Sequence, residues 1–146
     1  MPKMQIPVWI APDLPERLRA RFAPFPLIQG WNVSIEEVQP GSALMRLEPT
    51  ERTTNPGGVV NGGIQATLAD MACALALCTV FDGAMPFATS DLHIRYLDPA
   101  MGPVLAEAAL VRLSSRGAIL ECRLKCQEHV VALCTCHFTI KPHSAD

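Results

Sequence analysis

Asn55-Pro-Gly-Gly-Val-Val-Asn61-Gly62-Gly63-Ile-Gln-Ala-Thr-Leu-Ala-Asp70 is the stretch that decides the fold. It reads as a loop, an Asn helix cap, two glycines, and an apolar helix carrying one carboxylate. Two glycines at a helix start let a ligand approach the backbone closely. The free N–H groups there, with the positive end of the helix dipole, suit an oxygen that carries or develops negative charge. Asp70 is the only carboxylate between Asn55 and Val80. Such a group in an apolar helix needs a partner or a task.

Spacing adds a constraint. Gly62 and Asp70 are eight residues apart, or about 12 Å at ~1.5 Å per residue. One Asp side chain does not reach a group held at its own helix's start. If both act on one substrate, a second copy of the helix lies antiparallel alongside, which points to a dimer with a site at the interface.

Working outward, Ile64 to Val80 is apolar nearly all round, the mark of a helix buried on most sides. Upstream, Trp31–Val38 and Ala43–Glu48 read as a hairpin about Pro40-Gly41, with a parity shift at Glu36-Glu37. Before it, Asp13 is a candidate cap for a short helix, Leu14–Phe22, ended by Pro24 and Pro26. Downstream, Phe87–Leu97, Val104–Leu113, Ala118–Cys126 and Val130–Ile140 read as four strands. In the first, Leu92, Ile94 and Tyr96 alternate with Asp91, His93 and Arg95. Short connections favour an antiparallel meander. The expected organisation is an arm with a short helix over residues 1–29 and a single domain over 30–146.

With 146 residues, 49% hydrophobic and 18% charged, the chain supports one substantial core, and its low charge suggests surface covered by other subunits. A formal net charge of −2 gives no bulk electrostatic case for nucleic acid or an acidic membrane. The N-terminus lacks the layout of a signal peptide. The longest apolar run, Met71–Leu77, reads as too short to span a bilayer. The expectation is a soluble cytoplasmic protein.

The six cysteines lack Cys-x-x-Cys spacing, and their even separations within strands read as core packing, with no metal site. Neither a phosphate-binding loop nor a dinucleotide fingerprint is present, and Ser114 and Ser115 lack a nucleophile-elbow context. His93 and His137 read as structural or surface residues.

Asn55, Gly57-Gly58, Asn61-Gly62-Gly63 and Leu68-Ala69-Asp70, followed by Thr89-Ser90-Asp91-Leu92-His93-Ile94-Arg95-Tyr96-Leu97-Asp98-Pro99-Ala100, resemble the hotdog-fold acyl-CoA thioesterases, in particular the phenylacetate-pathway (PaaI-like) subgroup. The resemblance covers about Gly30 to Lys141 in order and spacing. It implies an α+β fold in which an antiparallel sheet wraps one long central helix. It also implies sheets joined edge to edge in a homodimer, dimers pairing again into a homotetramer, and active sites between subunits. The substrate would be an acyl-CoA, with coenzyme A entering as part of it and no other cofactor.

Carried over residue by residue, the resemblance gives Gly62, with Gly63, the oxyanion pocket. Asp70 is then general base or nucleophile, Thr89 holds the water or orients the carboxylate, and Asn55 fixes the reacting group or the water. Ser114, Ser115 and Arg116 would contact the nucleotide phosphates. One departure stands out: the family's His before Gly-Gly is Asn61 here. Asn caps a helix and donates a hydrogen bond to a carbonyl, but carries no proton charge. Apolar residues such as Met71, Leu75, Phe81 and Phe87 suggest an aromatic or medium-chain acyl group. The residues taken alone leave plainer readings open: close helix packing for the glycines, a buried acceptor for Asp70, a turn for Asn55, a solvated charge for Arg116. A non-catalytic acyl-CoA-binding or sensing protein on the same fold is the alternative. A hotdog dehydratase is disfavoured by the lack of a His near Asp70.

Overall fold

The computed structural model describes residues 3–142. Its long helix, α3 (Gly62–Cys78), begins where the cap chemistry places it. The Asn61 side chain accepts from the Gly63 N–H at 2.8 Å, and the Asn61 carbonyl receives the Gln65 N–H at 3.0 Å. A 3-10 turn over Thr79–Phe81 follows, and Asp82 (φ 50°) and Gly83 (φ 91°) then reverse the chain in left-handed conformations. Leu68, Ala69, Ala72, Cys73, Ala76 and Leu77 are buried, so small residues let the sheet approach closely. Taken with its terminal turn, this helix is long and apolar enough by composition to cross a bilayer (mean hydropathy 1.7), contrary to the reading from Met71–Leu77. It is instead the core helix, packed on strands of the sheet.

Six strands form that sheet: β1 (Val33–Gln39), β2 (Ser42–Leu47), β3 (Phe87–Tyr96), β4 (Val104–Leu113), β5 (Gly117–Cys126) and β6 (His129–Ile140). Their order is β1-β2-β4-β5-β6-β3, every pairing antiparallel. The last three strands in sequence form a meander, whereas β3 lies at the far edge beside β6. Short connections favour a meander through all four of these strands, but connection length carries no information on crossovers. Alternation holds along the strands: Val104, Ala106, Ala108 and Leu110 face α3, as do Leu120, Cys122 and Leu124, and Cys134, Cys136 and Phe138. The expected parity shift in β1 is a bulge between Ile35 and Glu37. Gln127 and Glu128 (φ 51° and 69°) make the tight β5–β6 turn.

The N-terminal segment lies against this core. In α1 (Leu14–Phe22), Leu14 and Leu18 are buried. Asp13 does not cap it through its side chain; its carboxylate pairs with Arg17 at 3.1 Å, an exposed pair that contributes little. Pro24 ends α1, but Pro26 opens a second short helix, α2 (Pro26–Gly30), that the sequence reading did not separate. Proline in a first turn lacks only an N–H that would have no helical acceptor there.

Candidate active site

The loop before α3 is held by its own side chains. Asn55 Oδ1 accepts from the Gly57 N–H at 2.9 Å and the Val59 N–H at 3.1 Å. Val60 donates to the Ala100 carbonyl and Asn61 to that of Thr53, each at 2.9 Å. The acceptor side of Asn55 is therefore committed to the turn, and its amide N–H₂ is the part left for a ligand.

At the helix start, Asn61 uses the Gly63 N–H, while the Gly62 N–H has no acceptor among the described residues. Of the two glycine donors expected at the pocket, only Gly62 is thus uncommitted. Tyr96 donates its hydroxyl to the Gly62 carbonyl. A Cβ at position 62 would lie 3.1 Å from both Cζ and Oη of Tyr96, so glycine is what lets the ring sit there. Tyr96 stands in the Thr89–Ala100 stretch that carries the resemblance, but nothing in the sequence assigns it a role. Gln65, one turn along, is buried and donates to the Val60 carbonyl at 2.9 Å. Its Oε1 is a buried acceptor without a donor among the described residues.

Asp70 is half-buried on the next turns of α3. Its Oδ1 accepts from the Thr89 hydroxyl at 2.8 Å. This joins two of the expected site residues across α3 and β3. Burial raises the Asp70 pKa above the ordinary carboxylate value, the Thr89 hydrogen bond opposes the rise, and the nearby Cys136 adds to it. Behind Asp70 the wall is made of thiols. Cys134 and Cys136 are 3.7 Å apart between sulfurs, and hydrogen bonds to Cys122 and Cys136, then burial, hold the Cys73 thiol protonated. All six cysteines are free and buried, and burial pushes Cys78 up to about 12. The result is a half-buried acid, kept partly ionisable by one hydroxyl.

Ser114, Ser115 and Arg116 form the β4–β5 turn. Ser114 Oγ donates to the Gly117 carbonyl at 3.0 Å, and the Arg116 carbonyl receives the Ile140 N–H at 2.8 Å. Ser114 and Ser115 line a cavity of about 450 Å³ with Val80, Phe81 and Lys141, near the C-terminal end of α3. Lys141 is a cation the sequence reading did not single out. Phe81 lies here, whereas Met71 and Leu75 line a separate apolar cavity of about 120 Å³, closed by Phe22 of α1 and Phe25 just before α2. Phe87 is buried against Phe138 instead. Along one subunit, the Gly62 N–H, Asp70 and the Ser114 turn follow the axis of α3 in that order.

A six-stranded antiparallel sheet around one long helix defines the hotdog class, here with a glycine-started helix and a half-buried acid. The thioesterase superfamily model matches residues 57–133, more than half of the chain, and the protein belongs to that superfamily. A Halobacterium salinarum protein described as an inferred esterase is 38% identical over 100 residues, which are 65% of this chain and 66% of that protein. The chain therefore spans just under two thirds of that relative's length. Human acyl-coenzyme A thioesterase 13 is 32% identical over 68 residues, 47% of this chain and 48% of that one. A mutant of the phenylacetic acid degradation protein PaaI from Thermus thermophilus superposes with a TM-score of 0.72 at 26% identity, covering 80% of this chain and 99% of that chain.

Proposed function

We propose that the protein hydrolyses acyl-CoA thioesters at a site shared between two subunits. The observation that carries this reading is the Thr89–Asp70 pair: a partly desolvated carboxylate held by a hydroxyl in a thioesterase-family fold. The thioester carbonyl oxygen accepts from the uncommitted Gly62 N–H at the helix start, where negative charge is stabilised as the carbonyl becomes tetrahedral. Asp70 takes a proton from water, the water oxygen bonds to the carbonyl carbon, and the C–S bond breaks. Coenzyme A leaves as a thiolate and the acid is released. Direct attack by Asp70, giving an anhydride that water then opens, uses the same placement. Asn61 and the amide of Asn55 supply neutral donors beside the carbonyl, Asn61 standing where the resembling proteins have His.

Strand β3 supports the dimer in this reading. Among the described residues it pairs with β6 on one side only, leaving a ten-residue edge open. β3 runs opposite to α3, with Tyr96 on Gly62 and Thr89 on Asp70. A two-fold axis through the middle of β3 would join two sheets and set the Gly62 end of one helix beside the Asp70 end of the other. That meets the ~12 Å problem of one helix serving both roles. Pairing of dimers into tetramers is the further expectation.

The 120 Å³ cavity beside Met71 and Ala74 is the seat for the acyl group. Its size is close to the ~150 Å³ that holds a benzene ring, which favours an aryl or short medium-chain acyl. The Ser114–Arg116 turn and Lys141, about eleven residues of helix (~16 Å) beyond Asp70, receive the nucleotide phosphates at the end of the pantetheine arm. Six free thiols suit a reducing compartment, consistent with the cytoplasm.

A thiol-release assay over short, medium, long and aryl acyl-CoAs tests the activity. Release from aryl or medium-chain members is expected. Binding without release from any member would favour the non-catalytic reading.

A further inference from the structure

Strand β3 carries a parity conflict. Thr89 must face α3 to reach Asp70, and so must Tyr96 to reach Gly62, yet seven residues separate them. Strict alternation would turn one of the two away. A bulge resolves the conflict: the register with β6 shifts between Thr89 and Asp91, leaving Ser90 as the extra residue. Phe87 and Thr89 precede it on the α3 side of the strand, and Leu92, Ile94 and Tyr96 follow on that same side.

The bulge is pinned from the outer face of the sheet. Ser90 Oγ lies 3.0 Å from the His137 carbonyl and 2.9 Å from His137 Nδ1. A hydroxyl has one proton, so it donates to the carbonyl and accepts the Nδ1–H. The Asp91 carboxylate stands 3.4 Å from the same nitrogen. On its other side the imidazole rests on Gly117, where a Cβ would come within 3.0 Å of Nε2 and 3.1 Å of the Phe138 carbonyl. Serine, histidine and aspartate thus meet at one place, but not as a hydrolytic triad. Both partners address Nδ1, and Nε2 is turned away from the hydroxyl.

We propose that Ser90 and His137 are positioning residues for the reaction, fixing the β3 bulge so that Thr89 is aimed at Asp70. The inference rests on the assignment of Asp70 as the reacting acid. The latch acts through Thr89 alone and touches no substrate. It also ties the β4–β5 turn, through Gly117, to the residue that orients the acid.

Kinetics with an aryl acyl-CoA test it. Ser90→Ala is expected to lower kcat roughly three- to tenfold with KM within about twofold, as misaligned catalytic groups do. Ser90→Thr, which keeps the hydroxyl, restores kcat. His137→Ala matches Ser90→Ala, and His137→Asn, which keeps a donor near the Nδ1 position, recovers most of it. In a Thr89→Val background, Ser90→Ala changes nothing further, because the group it aims is gone. Undiminished kcat in folded Ser90→Ala, or costs that multiply with Thr89→Val, would overturn the proposal. Should Ser90→Ala not fold, the His137→Ala and His137→Asn pair decides by the same criteria. Full turnover in Asp70→Asn would instead remove the underlying reading, so the two failures are told apart.

Discussion

Asp70 and Thr89 set opposite pressures on one proton. Burial favours the neutral acid and the Thr89 hydroxyl favours the carboxylate. As a base, Asp70 works only when ionised, so the acid limb of the kcat/KM–pH profile should lie above the ~4 of an unperturbed carboxylate. Thr89→Val removes the opposing hydrogen bond and should move that limb to still higher pH. Stability runs the other way. A carboxyl whose folded pKa is raised contributes stability that is complete below the unfolded pKa and lost as pH rises through the folded one. Asp70→Asn should therefore melt no lower than wild type at neutral pH, and higher if anything, while kcat falls by roughly 10²-fold or more. Calorimetry beside kinetics checks both signs. At the helix start, Gly62→Ala brings a methyl to 3.1 Å from the Tyr96 ring. The ring must move, and kcat should fall by more than about tenfold with the helix otherwise intact.

Helix α3, the strands and both β1–β3 parity shifts show what a linear pattern holds and what it omits. The helix was legible because Asn61, a capping residue, precedes an apolar run with no breaker before Asp82-Gly83. The Glu36 bulge was legible as a break in alternation. The Ser90 bulge left the same trace, Thr89 being odd and Leu92, Ile94 and Tyr96 even, but it is visible only once Thr89 is required to face inward. The place of β3 at the sheet edge was not legible, because crossovers depend on packing between distant segments. Nor was α2, where Pro26 could end one helix or start another. Among site residues, Asp70 stood out as a lone carboxylate, whereas Thr89 and Ser114–Arg116 rested on the family resemblance. Lys141 and the Phe22–Phe25 side of the apolar cavity are brought in only by the tertiary fold. At this scale the cavity makes a prediction. Ala74→Phe fills it and should lower kcat/KM for aryl acyl-CoAs at least about tenfold, while sparing acetyl-CoA, as read from a chain-length series.

The molecule as a whole acts through a pair of antiparallel helices in this account, each lending its amide start to the other's acid. Subunit complementation tests this most directly. Asp70→Asn and Gly62→Val are each made as inactive proteins, dissociated, mixed in equal amounts and reassembled. Random pairing gives half mixed dimers, each with one site built from two unaltered residues, so roughly one quarter of wild-type activity should return. If the acid and the amide belong to the same subunit, every site carries a defect, and the reassembled mixture will stay as inactive as its parents.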